Sequence, residues 1–162
     1  MKTQIIAAMA LGLATVSVAA LPMTASAQEL TTDYNYVGAG VGIGNVGESD
    51  FGLSINSKVT VADNISVRPG VISDLNFSGN GETVFLLPVT YDFNGLTQEG
   101  RLLPFAGAGL SVSTQGEGAI GPLLTAGVDY RITDRVVANG TVNWSIYGNS
   151  QVNGTVGLGY TF

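Results

Sequence analysis

Residues 151–162 alternate by size and polarity. Val152, Val156, Leu158, Tyr160 and Phe162 fall on one face of an extended strand, and Asn153, Thr155, Gly157, Gly159 and Thr161 fall on the other. A repeat of two marks a strand whose faces meet different surroundings, because successive side chains point to opposite sides. The same period returns along the chain. Phe51, Leu53, Ile55, Val59 and Val61 alternate with Gly52, Ser54, Asn56, Lys58 and Thr60, and Phe85, Leu87, Val89, Tyr91 and Phe93 alternate with Leu86, Pro88, Thr90 and Asp92. Ile120, Leu124, Ala126, Val128, Tyr130 and Ile132 alternate with Gly121, Thr125, Gly127, Asp129 and Arg131. A helical period of 3.6 is absent from this region, because glycine, 23 of 162 residues, interrupts every candidate.

Eight strands are expected, at 36–44, 51–61, 65–73, 83–93, 103–113, 120–132, 136–146 and 151–162. A tilted strand that crosses a bilayer needs about 9–11 residues, whereas strands of soluble domains average about 5–6. These segments match the longer class. An even count also suits a closed up-and-down antiparallel barrel. The connectors alternate in kind. Ala62-Asp63-Asn64 and Thr133-Asp134 are minimal turns and 94–102 is somewhat longer; 45–50, 74–82, 114–119 and 147–150, rich in Gly, Asn, Ser and acids, belong to the other end. Pro69 and Pro88 fall inside the third and fourth strands, where proline deletes a ladder hydrogen bond. Bulges or shorter strands are expected there.

Alternation alone does not say which face is buried, since a lipocalin barrel carries its apolar face inside. The occupants of the more polar face decide. They are mostly small (Gly38, Gly40, Gly42, Gly107, Gly109, Ser111, Gly157, Gly159), where a surface in water would carry Lys, Glu and Arg. Charged residues are only 11% of the chain, against about 25% in ordinary soluble proteins. Small side chains suit the narrow lumen of an eight-stranded barrel. With both termini on the periplasmic side, Phe51, Phe77, Phe85, Trp144 and Tyr147 lie at the outer end. Tyr34, Tyr36, Tyr91, Phe93, Phe105, Tyr130, Tyr160 and Phe162 then lie at the periplasmic end. Two aromatic belts around an aliphatic band are expected of a lipid-facing barrel. Tyr34, Tyr36 and Phe105 have inward parity, which leaves either a plug at the lower end or a slipped register.

The run VGLGYTF at 156–162 resembles the C-terminal signature of Gram-negative outer-membrane proteins, alternate apolar residues ending on an aromatic. Residues 28–162 as a whole resemble the small eight-stranded group that includes the OmpA membrane domain and the opacity-protein-like barrels. The resemblance implies an all-β, eight-stranded antiparallel up-and-down transmembrane β-barrel. It implies that Val156, Leu158, Tyr160 and Phe162 form the signal read by the barrel-assembly machinery. Outer-membrane lipid and lipopolysaccharide would be the surroundings, and a monomer is expected. Departing from the pattern of that group, short outer loops are expected, and a periplasmic peptidoglycan-binding domain is not expected within these residues.

Residues 1–27 read as a secretory signal peptide: Lys2, an apolar run from Ile5 to Leu21, and Ala25-Ser26-Ala27 before Gln28. Several functions close at once. With no Cys and no His, neither a disulfide framework nor a Cys/His zinc site can form. The histidine-dependent chemistry of the known membrane-barrel enzymes is also closed. A net charge of −6 opposes nucleic-acid binding. Two G-x-G-x-x-G matches, Gly42 to Gly47 and Gly116 to Gly121, precede no helix and carry no dinucleotide-binding meaning. No enzyme, cofactor or metal is expected.

Two groups of charges stand out. Lys58, Arg68, Asp92, Asp129 and Arg131 share inward parity near the lower end. Buried charges must be paired, so an interior network is expected, Lys58 or Arg68 with Asp92, and Arg131 with Asp129 or Asp92. It is either a polar plug or a gate. Glu48, Asp50, Asp74, Glu82 and Glu117 form an acidic outer rim, read as a solvated loop surface or as a cation-attracting mouth. Two functions follow: a protein of envelope integrity or surface interaction, or a narrow porin-like channel for small solutes or cations.

Overall fold

A computed structural model describes residues 32–46, 49–75, 81–97 and 99–162. The expected signal peptide, Phe77 and Glu48 lie outside the described residues. Among the described residues nine strands occur: β1 (Tyr36–Val46), β2 (Ser49–Ala62), β3 (Ile65–Val67), β4 (Gly70–Ser73), β5 (Thr83–Asp92), β6 (Leu102–Ser113), β7 (Ala119–Arg131), β8 (Val136–Tyr147) and β9 (Asn149–Thr161). Every pairing is antiparallel, and β1 bonds both β2 and β9, which closes the sheet. Both β3 and β4 lie between β2 and β5. They are two halves of one stave, so the barrel has eight staves and, among the described residues, no helix.

The split stave corrects the continuous third strand expected at 65–73, and the two prolines are its cause. The register runs unbroken past the gap, from Val59↔Val67 to Asn56↔Gly70 on one side and from Val67↔Val89 to Gly70↔Leu86 on the other. Arg68 N still donates to Pro88 O (3.0 Å), and Ser57 N to Pro69 O (2.9 Å). The reciprocal bonds would need the N–H groups that Pro88 and Pro69 lack. Two adjacent rungs are therefore half-made. Pro69 also holds Arg68 extended, so the chain keeps its course while the ladder lapses.

The loop-end connections are tighter than the sequence implies. β1 runs on to Val46 through an irregularity after Ile43, and β2 begins at Ser49. β8 and β9 are joined by Gly148 alone, at φ +81°, a left-handed conformation that suits glycine. At the opposite end, near Tyr34 and Phe162, the Ala62–Ile65 turn places Asn64 at φ 60°, which asparagine tolerates.

The outward faces are apolar all round: Val41, Leu53, Ile55, Leu87, Leu124 and Leu158 are each exposed. Monomeric soluble proteins rarely leave contiguous apolar patches above a few hundred Å², so a continuous girdle of this kind belongs in lipid. Exposed Phe51, Phe85 and Trp144 sit toward one rim, and Tyr91, Phe93, Tyr130, Tyr160 and Phe162 toward the other. Tyr34, Tyr36 and Phe105 turn inward and are buried, which resolves their parity as a plug. Facing glycines let β1 and β9 approach closely: Gly40 pairs with Gly157, and a Cβ on Gly40 would lie 2.1 Å from the Val156 carbonyl oxygen.

Candidate functional site: the barrel interior

The end near Tyr34 and Phe162 holds a charged cluster. Alternation points Lys58 (β2), Asp92 (β5) and Asp129 (β7) inward, and the interrupted stave delivers Arg68 between them. Lys58 Nζ lies 3.1 Å from Asp92 Oδ2, Arg68 Nη2 lies 2.9 Å from Asp92 Oδ1, and Arg68 Nη1 lies 2.9 Å from Asp129 Oδ2. One guanidinium thus spans two carboxylates, a task its planar fork suits and a lysine could not perform. Two cations meet two anions, so the four-residue set is neutral. Lys58 and Asp129 are fully buried and Asp92 nearly so.

Neutral groups complete the set, as donors to the carboxylates and as acceptors from the cations. Tyr34 Oη donates to Asp129 Oδ2 (2.6 Å) and Tyr36 Oη to Asp129 Oδ1 (3.2 Å). Ser66 Oγ donates to Asp92 Oδ2, Arg68 Nε to Thr90 Oγ1 (3.1 Å), and Lys58 Nζ to the Thr32 carbonyl. Aromatic rings supply the remaining walls, with the Arg68 guanidinium 3.5 Å from the Phe105 ring centre and Lys58 Nζ 3.5 Å from that of Tyr34. Cation–π contact of this kind strengthens when desolvated. Burial, with the Asp129 carboxylate beside it, pushes the Tyr34 phenol above its ordinary value, so it remains a donor.

The structure brings four of the five expected interior charges together and leaves Arg131 out. The carboxylate oxygens of Asp129, its expected partner, already receive Arg68, Tyr34 and Tyr36. Arg131 stands 5.4 Å from the Tyr34 ring centre, half-buried, with no ion pair among the described residues. Parity announced that Tyr34 and Tyr36 face inward, but not that they would serve a carboxylate.

Above the cluster the lumen divides lengthwise. Ile72, Val84, Leu86 and Leu123, from β4, β5 and β7, form a buried apolar cluster. The wall of β8 and β9 is polar instead: Asn139, Thr141, Asn143 and Ser145 on β8 face Thr155, Asn153 and Gln151 on β9. Asn56 Nδ2 donates to Asn139 Oδ1 (2.7 Å), and Thr125 Oγ1 to Asn143 Oδ1 (2.8 Å). A cavity of about 30 Å³ lies between this wall and the charged cluster, lined among others by Arg68, Tyr36, Ser54, Asn56, Thr125 and Asn143. It has room for one or two waters. The polar wall was legible only as inward parity, since scattered Asn, Ser and Thr carry no motif.

The acidic rim is less uniform than its sequence implied. Asp50 and Glu117 are exposed. Glu82 is buried, corrected from the expected solvated rim: its carboxylate turns inward and accepts the Ser113 hydroxyl. Asp74 is half-buried and accepts the Glu82 backbone N–H (3.1 Å). These two acids are packed into the mouth and not spread over it. Val156, Leu158, Tyr160 and Phe162 all face outward on the closing strand β9. Among the described residues no group of three or more Asp or Glu is placed to hold a metal ion.

No protein-family model matches the chain, and no curated protein does. Solved structures do. The N-terminal β-barrel domain of Pseudomonas aeruginosa OprF superposes with a TM-score of 0.64 at 14% identity, over 82% of this chain and 99% of that one. Ail, the attachment invasion locus protein of Yersinia pestis, gives 0.57 at 10% identity over 80% of this chain and 98% of its own. Neisserial surface protein A gives 0.55 at 15% identity, over 79% and 94%. At such identities the likeness is one of fold: the chain is built as a small eight-stranded outer-membrane β-barrel.

Proposed function

We propose that the protein is a non-enzymatic barrel of the outer membrane whose interior is closed to ions, and that it serves envelope integrity or surface interaction. The neutral charged cluster carries this reading. With Asp92 and Asp129 fully engaged by Lys58, Arg68, Tyr34 and Tyr36, the buried charges packed across the lower lumen cancel one another, and Arg131 stands half-buried beside them. The similar fold of OprF, Ail and NspA supports the membrane setting. On this reading the exposed apolar series Val156, Leu158, Tyr160 and Phe162 guides assembly, and the loop end of the barrel, with Asp50 and Glu117 exposed, faces the lipopolysaccharide layer. The test is planar-bilayer recording of the purified barrel. No conductance above background is expected, and a reproducible unitary conductance in the native protein overturns the closed reading.

A second reading is a narrow channel gated at the cluster. The polar wall of β8 and β9 favours it, because a merely structural lumen could have been apolar throughout. Replacing Asp92 by Ala separates the two: a gate predicts a rise in conductance, a plug an unchanged trace in whatever fraction folds.

A further inference from the structure

An asparagine followed by glycine carries its own reactive neighbour. The glycine nitrogen can close on the asparagine side-chain carbonyl to form a succinimide ring, and with no Cβ in the way the backbone turns freely toward that attack. Asn94-Gly95, Asn139-Gly140 and Asn153-Gly154 are such pairs among the described residues. The fold gives them opposite surroundings. Asn139 and Asn153 are 3% and 1% exposed. Gly140 sits in the sheet between Val128 and Val156, and Gly154 between Val142 and Ile43. A ladder on each flank holds these two backbones extended, so the glycine nitrogen cannot rotate toward the side chain.

Asn94 lies outside any strand, in the connection from β5 to β6, and is exposed. Among the described residues the Gly95 nitrogen donates to no acceptor, although Phe93 N and Leu96 N on either side are bonded to Pro104 O and Leu102 O at 2.9 Å. Glycine is required at this place, because a Cβ on residue 95 would lie 2.5 Å from the Gly100 carbonyl oxygen. Asn64 faces the Asn94 side chain from the β2–β3 turn. Its Nδ2 donates to Asn94 Oδ1 (3.3 Å) and to the Asp92 carbonyl (2.7 Å). A backbone carbonyl only accepts, so the Asp92 contact fixes which end of the Asn64 amide points toward Asn94. Asn64 thus donates to the oxygen on which charge develops when Asn94 Cγ is attacked, where a donor stabilises the transition state.

We propose that Asn94-Gly95 is a site of self-modification, at which the asparagine converts to isoaspartate and aspartate with Asn64 as the oxyanion donor. The Gly95 nitrogen bonds to Asn94 Cγ and gives up its proton to water. The tetrahedral centre then expels the side-chain nitrogen, which takes up a proton and leaves as ammonia, and a succinimide remains. Water adds to either ring carbonyl and opens the ring to isoaspartate or aspartate. Water enters, ammonia leaves, and nothing is oxidised or reduced. The product adds a negative charge to the end of the barrel near Tyr34 and Phe162. Its isoaspartate form also lengthens the backbone by a carbon just after Phe93, one of the exposed aromatics of that rim.

The experiment holds the purified full barrel in lipid nanodiscs at mildly alkaline pH over weeks and maps its peptides by mass spectrometry, with fragmentation that separates isoaspartate from aspartate. In the folded barrel Asn94 is expected to convert while Asn139 and Asn153 stay intact; in the urea-unfolded chain all three are expected to convert. An Asn94 that stays intact in the folded barrel while the unfolded chain converts overturns the proposal. So does conversion of Asn139 or Asn153 in the folded barrel as fast as that of Asn94. Asn64→Gly keeps a residue suited to φ 60° and removes the donor. Conversion of Asn94 in that variant is expected to slow by about 2- to 10-fold, the worth of one neutral hydrogen bond. An unchanged or faster rate overturns the role given to Asn64.

Discussion

The two polar regions of the lumen solve the same problem in opposite ways. At the terminal end four charges are packed with tyrosines, serine and threonine until every carboxylate oxygen has a donor. Along β8 and β9 the side chains are uncharged, yet several of their atoms have no partner at all. A buried charge without its counter-charge is costly enough to force complete pairing. An amide or hydroxyl costs less to leave for water. The charged set is therefore paired throughout, and the neutral wall leaves polar atoms unpaired.

Removing Arg68 breaks this contrast most severely. Among the described residues it is the sole cation on Asp129, and it shares Asp92 with Lys58, so Arg68→Ala leaves a buried carboxylate held by two phenols. A loss of about 3–5 kcal/mol is expected in urea unfolding from lipid vesicles. A loss below that of Lys58→Met would contradict the central role of Arg68. For Lys58→Met, Asp92 keeps Arg68 and Ser66, and about 1–3 kcal/mol should be lost in the same titration. Tyr34→Phe deletes one hydroxyl donor to Asp129 while preserving the ring over Lys58; about 1–2 kcal/mol is expected. The smallest change should be Arg131→Ala. It severs no ion pair, only a 5.4 Å approach to the Tyr34 ring, so a shift of about 0.5 kcal/mol is expected. A loss comparable to that of Lys58→Met would place Arg131 in the network after all.

Arg131 also shows where reading the sequence stops. Its inward parity is right and its neighbourhood is right, but parity says only which way a side chain leaves the sheet. Asp129 is two residues away on the same strand, yet it is met by Arg68 from a stave three positions round the barrel. Glu82 makes the same point at the other end: an acid beside a loop looks solvated in sequence, and its carboxylate turns into the mouth against Ser113. The prolines were more informative. Pro69 and Pro88 each signalled a broken rung, and only the pairing of Arg68 with Pro88 showed that both defects fall in one place. For Tyr34, Tyr36 and Phe105 parity alone allows a plug or a slipped register, and closure of the barrel buries all three.

Alternation with period two, small residues on one face and apolar on the other, determined by itself that this chain makes long strands with a lipid face and a narrow lumen. It did so because side-chain direction in a strand is a local property, fixed by the backbone and repeated at every second residue. The choice of partners across the lumen was decided only by the tertiary structure. Those distances depend on closure, stagger and twist of all eight staves together, which no local pattern encodes. The same closure gathered four charges into one neutral set and left a line of amides and hydroxyls to face one another unpaired.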